Sequence, residues 1–199
     1  MSNNKVIVIF LVLLSLGAKL SAQDANAPSG NKFTLYVGGG VSFYQGTPGT
    51  PAGLKATVSD VKPAATIRAM WKPDFLLRVG IETGLVQFYS YTIDDGGVKS
   101  STSLEAVPIL LTFSMPVTRN LNLYTGTGTY MMRSTLDYND KVTTSSFSLG
   151  YMLAAAYDFP LTENLGINTE VKWLKAVPTR DGSLNLQVHL RWDLVNNKP

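Results

Sequence analysis

His189 is the only histidine of the chain, and there is no cysteine. One conventional general base therefore remains, and disulfide frameworks and thiolate metal sites are excluded. A Ser/His pair acting on membrane lipid would have to reach lipid or a membrane rim. His189 stands instead between Gln187 and Arg191 on a polar stripe, and no His-x-Ser is present. No catalytic residue is expected. Asp94-Asp95 and Asp137-Tyr-Asn-Asp140 could offer oxygens to Ca²⁺, but they lack EF-hand spacing and read as solvated loop tips. No phosphate loop, zinc motif or dinucleotide fingerprint occurs, so neither metal nor cofactor is expected.

The other charged residues share a spacing. In Ser183–Asp193, Leu184, Leu186, Val188, Leu190 and Trp192 alternate with Asn185, Gln187, His189, Arg191 and Asp193. A period of two means a β-strand with one apolar and one polar face. Arg68, Arg78, Glu82, Asp158, Glu170 and Lys172 lie on the same polar parity of earlier segments. Eight such strands are predicted, roughly Phe33–Tyr44, Ala64–Lys72, Leu76–Tyr91, Ser101–Phe113, Leu121–Arg133, Ser145–Phe159, Leu165–Leu174 and Ser183–Asp193. In the fourth, Pro108 cannot donate to a ladder, which predicts a bulge that resets the faces of Leu104 and Glu105.

Alternation alone fits a soluble barrel as well as a membrane one. Two further features favour the membrane. Residues 1–22 read as a secretory signal: Lys5, an apolar run Val6–Leu16, and a small-residue site at Leu20-Ser21-Ala22. Two of the 17 basic residues, Lys5 and Lys19, lie in that segment, so only 15 face 14 acids in the remainder. No basic run with interleaved aromatics is left to suggest nucleic acid. The connections then alternate: Gln45–Val61 is long, Lys72-Pro73-Asp74, Met115–Asn120 and Pro160–Asn164 are short, and Asp94–Gly97, Ser134–Lys141 and Lys175–Gly182 are intermediate. Short periplasmic turns alternating with longer external loops give this rhythm.

The segments Pro108-Ile-Leu-Leu-Thr-Phe and Arg78-Val-Gly-Ile-Glu-Thr-Gly-Leu, with the Gly/Tyr-rich fifth and sixth strands, resemble the outer-membrane β-barrel domain labelled "porin family". That family is similar in architecture to the small OmpA/OmpX-type barrels of Gram-negative bacteria. The resemblance spans about residues 32–194. It implies an all-β, eight-stranded antiparallel up-and-down transmembrane barrel in the outer membrane.

The expected organisation is signal peptide 1–22, flexible lead 23–32, barrel 33–194 and polar tail 195–199. Eight strands enclose a lumen that side chains just fill, so Arg68, Arg78, Glu82, Glu170, Lys172 and Arg191 should meet there as hydrogen-bonded ion pairs, with His189 in the same polar network. Phe33, Trp71, Phe113, Tyr157 and Trp192 at one end, and Phe43, Tyr89, Phe147 and Trp173 at the other, should form two aromatic girdles. The leading function is a non-enzymatic outer-membrane barrel in a structural or surface-interaction role. Outer-membrane lipid surrounds it, and the Gln45–Val61 loop is the candidate surface for a ligand or protein. A lipid A-modifying enzyme and a small transport or secretion-accessory barrel are the rivals.

Overall fold

The computed structural model describes residues 32–46, 56–59, 61–73, 77–95, 98–137, 141–177 and 182–196. The signal segment 1–22, almost all of the 23–32 lead and the end of the tail lie outside these residues, whereas Lys32, Val195 and Asn196 belong to strands. Among the described residues nine strands are present: β1 (Lys32–Tyr44), β2 (Ala56–Ser59), β3 (Val61–Lys72), β4 (Arg78–Asp95), β5 (Val98–Pro116), β6 (Leu121–Asp137), β7 (Lys141–Pro160), β8 (Leu165–Ala176) and β9 (Ser183–Asn196). β2 and β3 both pair with β4, one beyond the other, so the nine make eight staves. All pairings are antiparallel, and β1 pairs with β9 to close the barrel.

The stagger follows from the register. A walk of one cross-strand partner at a time from Phe43 passes Leu184, Trp173, Leu153, Thr125, Phe113, Val79 and Trp71 and returns to β1 at Phe33. The return point is ten residues from the start, a shear of ten, which tilts the strands by about 40°.

Polarity is inverted relative to a water-soluble barrel. Arg68, Glu82, Glu170, Lys172 and His189 are buried, while Ile67, Ile81, Ile109, Leu149, Val188 and Trp192 are exposed. Outward apolar runs stop at one level: Leu85 gives way to Gln87, Val107 to Glu105, Met131 to Arg133, and Trp173 to Lys175. From the opposite strand ends this leaves a belt of about 25 Å, the height of a transmembrane apolar band. Two outward threonine hydroxyls turn to main-chain carbonyls: Thr127 Oγ1 donates to Gly150 O at 3.2 Å and Thr169 Oγ1 to Tyr157 O at 3.5 Å. Such internal pairing is what lipid requires of a polar group.

Two expectations are corrected here. β5 keeps an unbroken register with β6 from Ser101 to Pro116, so Pro108 introduces no bulge on that side. Pro108 is buried, on the same parity as Ala106 and Leu110. The bulge lies in β4, between Gln87 and Tyr89. A bulge brings two successive side chains against one partner, and so Phe88 and Tyr89 both meet the inward-facing Tyr44, at 6.1 and 5.0 Å between ring centroids. Tyr89 therefore belongs to the lumen and not to an outer girdle.

The strands also run further than alternation suggests. Asp94 and Asp95 pair with Lys99 and Val98, and Asp137 pairs with Lys141, so two of the three intermediate loops are shortened by strand at their ends. Ala56–Ser59 and Val61, expected in the first loop, are strand, paired with Ser90–Ile93 and Phe43 respectively; residues 47–55 lie outside the described set. The result is a lopsided barrel. β4, β5, β6 and β7 have 18, 19, 17 and 20 residues, against 13, 12, 12 and 14 for β1, β3, β8 and β9.

Candidate functional site: two charged layers in the lumen

The deeper layer centres on Arg68 of β3. Its Nε donates to Glu82 Oε2 of β4 at 2.5 Å, Nη2 donates to Glu170 Oε1 of β8 at 2.9 Å, and Nη1 lies 2.7 Å from Glu170 Oε2. Lys172, two residues along β8, donates to Glu82 Oε1 at 2.5 Å and lies 2.9 Å from Glu170 Oε1. Two cations and two carboxylates thus cancel. All four side chains are at most 2% exposed. Burying any of them alone would be costly; bridging across three strands is what makes the set tolerable.

Neutral groups complete the layer. Thr66 Oγ1 donates to Gln187 Oε1 at 2.8 Å, and the Arg68 guanidinium lies 4.2 Å from the Tyr124 ring centroid. His189 is held between Gln187 Oε1 (3.0 Å from Nε2) and Asn168 Oδ1 (3.3 Å from Nδ1). Asn168 Nδ2 donates to Asp158, which orients that amide with its oxygen toward His189. Room for these side chains comes from glycine. A Cβ on Gly38 would lie 2.7 Å from His189 Cδ2, and one on Gly40 would lie 2.8 Å from the Gln187 main chain.

The second layer sits at the end bearing the short turns. Two of those turns repeat one design. In Val117-Thr-Arg-Asn120, Thr118 Oγ1 accepts from Leu121 N at 3.0 Å; in Leu161-Thr-Glu-Asn164, Thr162 Oγ1 accepts from Leu165 N at 3.1 Å. The Asn120 carbonyl accepts from Asp158 N and the Asn164 carbonyl from Asp193 N, at 2.8 and 2.9 Å. Each turn thereby fixes one aspartate of the neighbouring strand at the mouth. Asp158 accepts from Asn122 Nδ2 (2.8 Å) and Asn168 Nδ2 (2.9 Å), and Asp193 accepts from Thr34 Oγ1 (2.6 Å). Arg78 Nη1 donates to Asn122 Oδ1 at 3.0 Å. Arg191 approaches Asp158 and Asp193 only at 3.9 Å, and Lys72 approaches Asp193 at 3.8 Å.

The seven expected lumen residues fall into two charged layers, joined through the His189–Asn168–Asp158 hydrogen bonds. Arg68, Glu82, Glu170 and Lys172 form the deep layer, with His189 at its edge, while Arg78 and Arg191 belong to the mouth. The partners not counted in the expected network are mostly uncharged: Thr66, Asn122, Asn168, Gln187, Tyr36 and Tyr124. Their parity marked them as inward, and the repeated Thr-x-Asn turn marked the two aspartates.

Beyond the deep layer, toward the hairpin tips, the lumen is apolar except beside β1 and β9, where Ser42, Ser183 and Asn185 are buried. Val86, Phe88, Ala106, Leu110, Tyr130, Met132, Met152 and Leu174 are all buried there. Tyr130 lies over Gly150, where a Cβ would stand 2.5 Å from the ring. On the outer wall, Phe33, Trp71, Tyr157 and Trp192 are exposed near the short turns, with Phe113 outward and slightly deeper. Phe147, Trp173 and Phe43 are outward toward the other end.

A closed, filled, inside-out antiparallel barrel of eight staves is an integral outer-membrane β-barrel in architecture. No family model and no curated protein sequence matches the chain. Solved structures do. The crystal structure of Ail, the attachment invasion locus protein of Yersinia pestis, is similar with a TM-score of 0.53 at 10% identity, over 82% of this chain and 99% of that one. Ail in complex with the heparin analogue sucrose octasulfate gives a TM-score of 0.50 at the same identity and coverage. The likeness is one of fold, and the fold is that of the small OmpA/OmpX-like barrels of Gram-negative outer membranes.

Proposed function

We propose that the protein is a non-enzymatic surface barrel that presents its tall sheet, β4–β7, to an extended segment of an external partner protein. One observation carries this reading. β8 ends its pairing with β7 at Gly150↔Ala176, while β7 continues out to Lys141. Lys141–Phe147 is exposed on both faces, with Phe147 75% exposed, and among the described residues the β7 edge opposite β6 has no partner strand. An unpaired edge offers a row of N–H and C=O groups to an incoming strand.

The rest of the molecule suits an anchor. The deep ion-paired layer and the apolar fill above it occupy the lumen, which disfavours a transport role. His189 is 1% exposed and engaged by two amides, without access to lipid, which disfavours a lipid A-modifying enzyme. Exposed aromatics at both ends of the apolar belt suit contact with the lipid interfaces on either side. With the short turns facing the periplasm, the tall sheet rises from the cell surface.

The test is to excise 135–143, join Ser134 to Thr144 through a two-residue turn, and pan a displayed library of extended peptides against both barrels in nanodiscs. Binders that the full barrel enriches and the trimmed barrel releases are expected. Equal retention by the two would remove the tall sheet as the contact surface.

A further inference from the structure

The mouth layer has more positive charge than its acids can use. Lys32 and Lys72 face each other in the β1–β3 register on inward parity, and Arg78 and Arg191 enter from β4 and β9. Among the described inward-facing residues, Asp158 and Asp193 stand against these four cations, two fewer acids than bases. Both carboxylates are already engaged at 2.6–2.9 Å by neutral donors, Asn122, Asn168 and Thr34. Arg191 and Lys72 consequently stop at 3.8–3.9 Å from them. Arg191 Nε makes no hydrogen bond among the described residues. That N–H can donate to an incoming anionic acceptor.

The mouth is shaped for that acceptor. The Arg191 guanidinium lies over Gly166, whose absent side chain would stand 3.2 Å from Cζ. Lys72 is held over the Tyr36 ring, 5.4 Å from its centroid. Guanidinium forks recognise tetrahedral oxyanions through paired N–H groups, and lysines add point charge. A phosphate group carries about −1.5 to −2 near neutral pH, which offsets the excess.

We propose that the turn-end mouth of the barrel is a binding site for a phosphate-class anion, with Arg191, Arg78 and Lys72 as its main donors and Lys32 at its rim. Two sources share that chemistry: a free phosphate or phosphate ester on the short-turn side, and the headgroup of a lipid in the adjoining leaflet. This site is independent of the tall sheet, which lies at the opposite end.

The test uses the full chain refolded in zwitterionic micelles, with inorganic phosphate titrated against it by ³¹P NMR. A parallel arm uses nanodiscs of phosphatidylcholine with and without phosphatidylglycerol. Heat-modifiable gel mobility reports that each variant is folded. Saturable phosphate binding is expected, weakened at least tenfold in the Arg191→Gln/Lys72→Gln variant and tightened in Asp193→Asn, which removes a competing carboxylate and is the informative variant if the double one fails to fold. Binding in micelles assigns a free anion; retention of phosphatidylglycerol in nanodiscs alone, lost in the double variant, assigns a headgroup. No binding in either arm, or equal affinity in wild type and Asp193→Asn, overturns the proposal.

Discussion

Two layers of Arg, Lys, Asp and Glu lie one beyond the other in the same lumen, yet their ion pairs differ. In the deep layer every cation–carboxylate gap is 2.5–2.9 Å, and the charges cancel. At the mouth the gaps are 3.8–3.9 Å. The difference lies in what else each carboxylate can accept. Glu82 and Glu170 have only cations within reach, whereas the mouth aspartates are supplied with amide and hydroxyl hydrogens. Neutral donors thus free the mouth cations while leaving the acids satisfied, and depth sets the cost of either arrangement.

Removing one partner should separate the layers most sharply in the deep one. Glu170→Ala leaves Arg68 and Lys172 sharing a single carboxylate in a dry lumen, a change expected to cost about 3–5 kcal/mol. Urea unfolding in lipid vesicles, followed by Trp emission and gel mobility, measures it. A second change, Lys172→Met on the Glu170→Ala background, restores neutrality and should recover part of that loss. A cost near zero for Glu170→Ala would mean the deep layer is not held by its ion pairs.

The same measurement on the mouth should give less. Asp158→Asn keeps an acceptor for one of its two amide donors and gives up only distant charge contacts, so about 1 kcal/mol is expected. The loss should also shrink in high salt, because the mouth opens to water and the deep layer does not. If Asp158→Asn costs as much as Glu170→Ala, the two layers are one cooperative network and the contrast fails.

Parity alone assigned Arg68, Glu82, Glu170, Lys172 and Arg191 to the inside, because alternation is a strictly local property of each strand. It could not say which of them share a level. Level depends on the stagger around the barrel, and a shear of ten places Arg191 near Asp158 and away from Arg68. Alternation also fails wherever both faces meet water: Lys141–Ser146 has no apolar side to register, so a paired ribbon reads as loop. At Phe88-Tyr89 a bulge turns two neighbours inward, which a strict period of two forbids. Pro108 carried the opposite lesson, since the missing donor was accommodated without any shift toward β6.

The smallest expected effect concerns where the layers sit relative to lipid. Trp71 and Trp192 are outward on the strands that carry Lys72 and Arg191, and Trp173 is outward on β8 toward the tall end. Single-Trp variants, with the other two replaced by Phe, can be reconstituted with lipids brominated at shallow or deep acyl positions. Shallow bromines should quench Trp71 and Trp192 more than deep ones, because rings near the strand ends belong at the interface, which places the mouth cations among headgroups. The deep layer, several residues further along the same strands, then lies within the hydrocarbon span, where unpaired charge is least tolerated. Stronger quenching of Trp192 by deep bromines would put the mouth inside the hydrocarbon. The loose pairing of Arg191 and Lys72 would then be untenable without a bound anion.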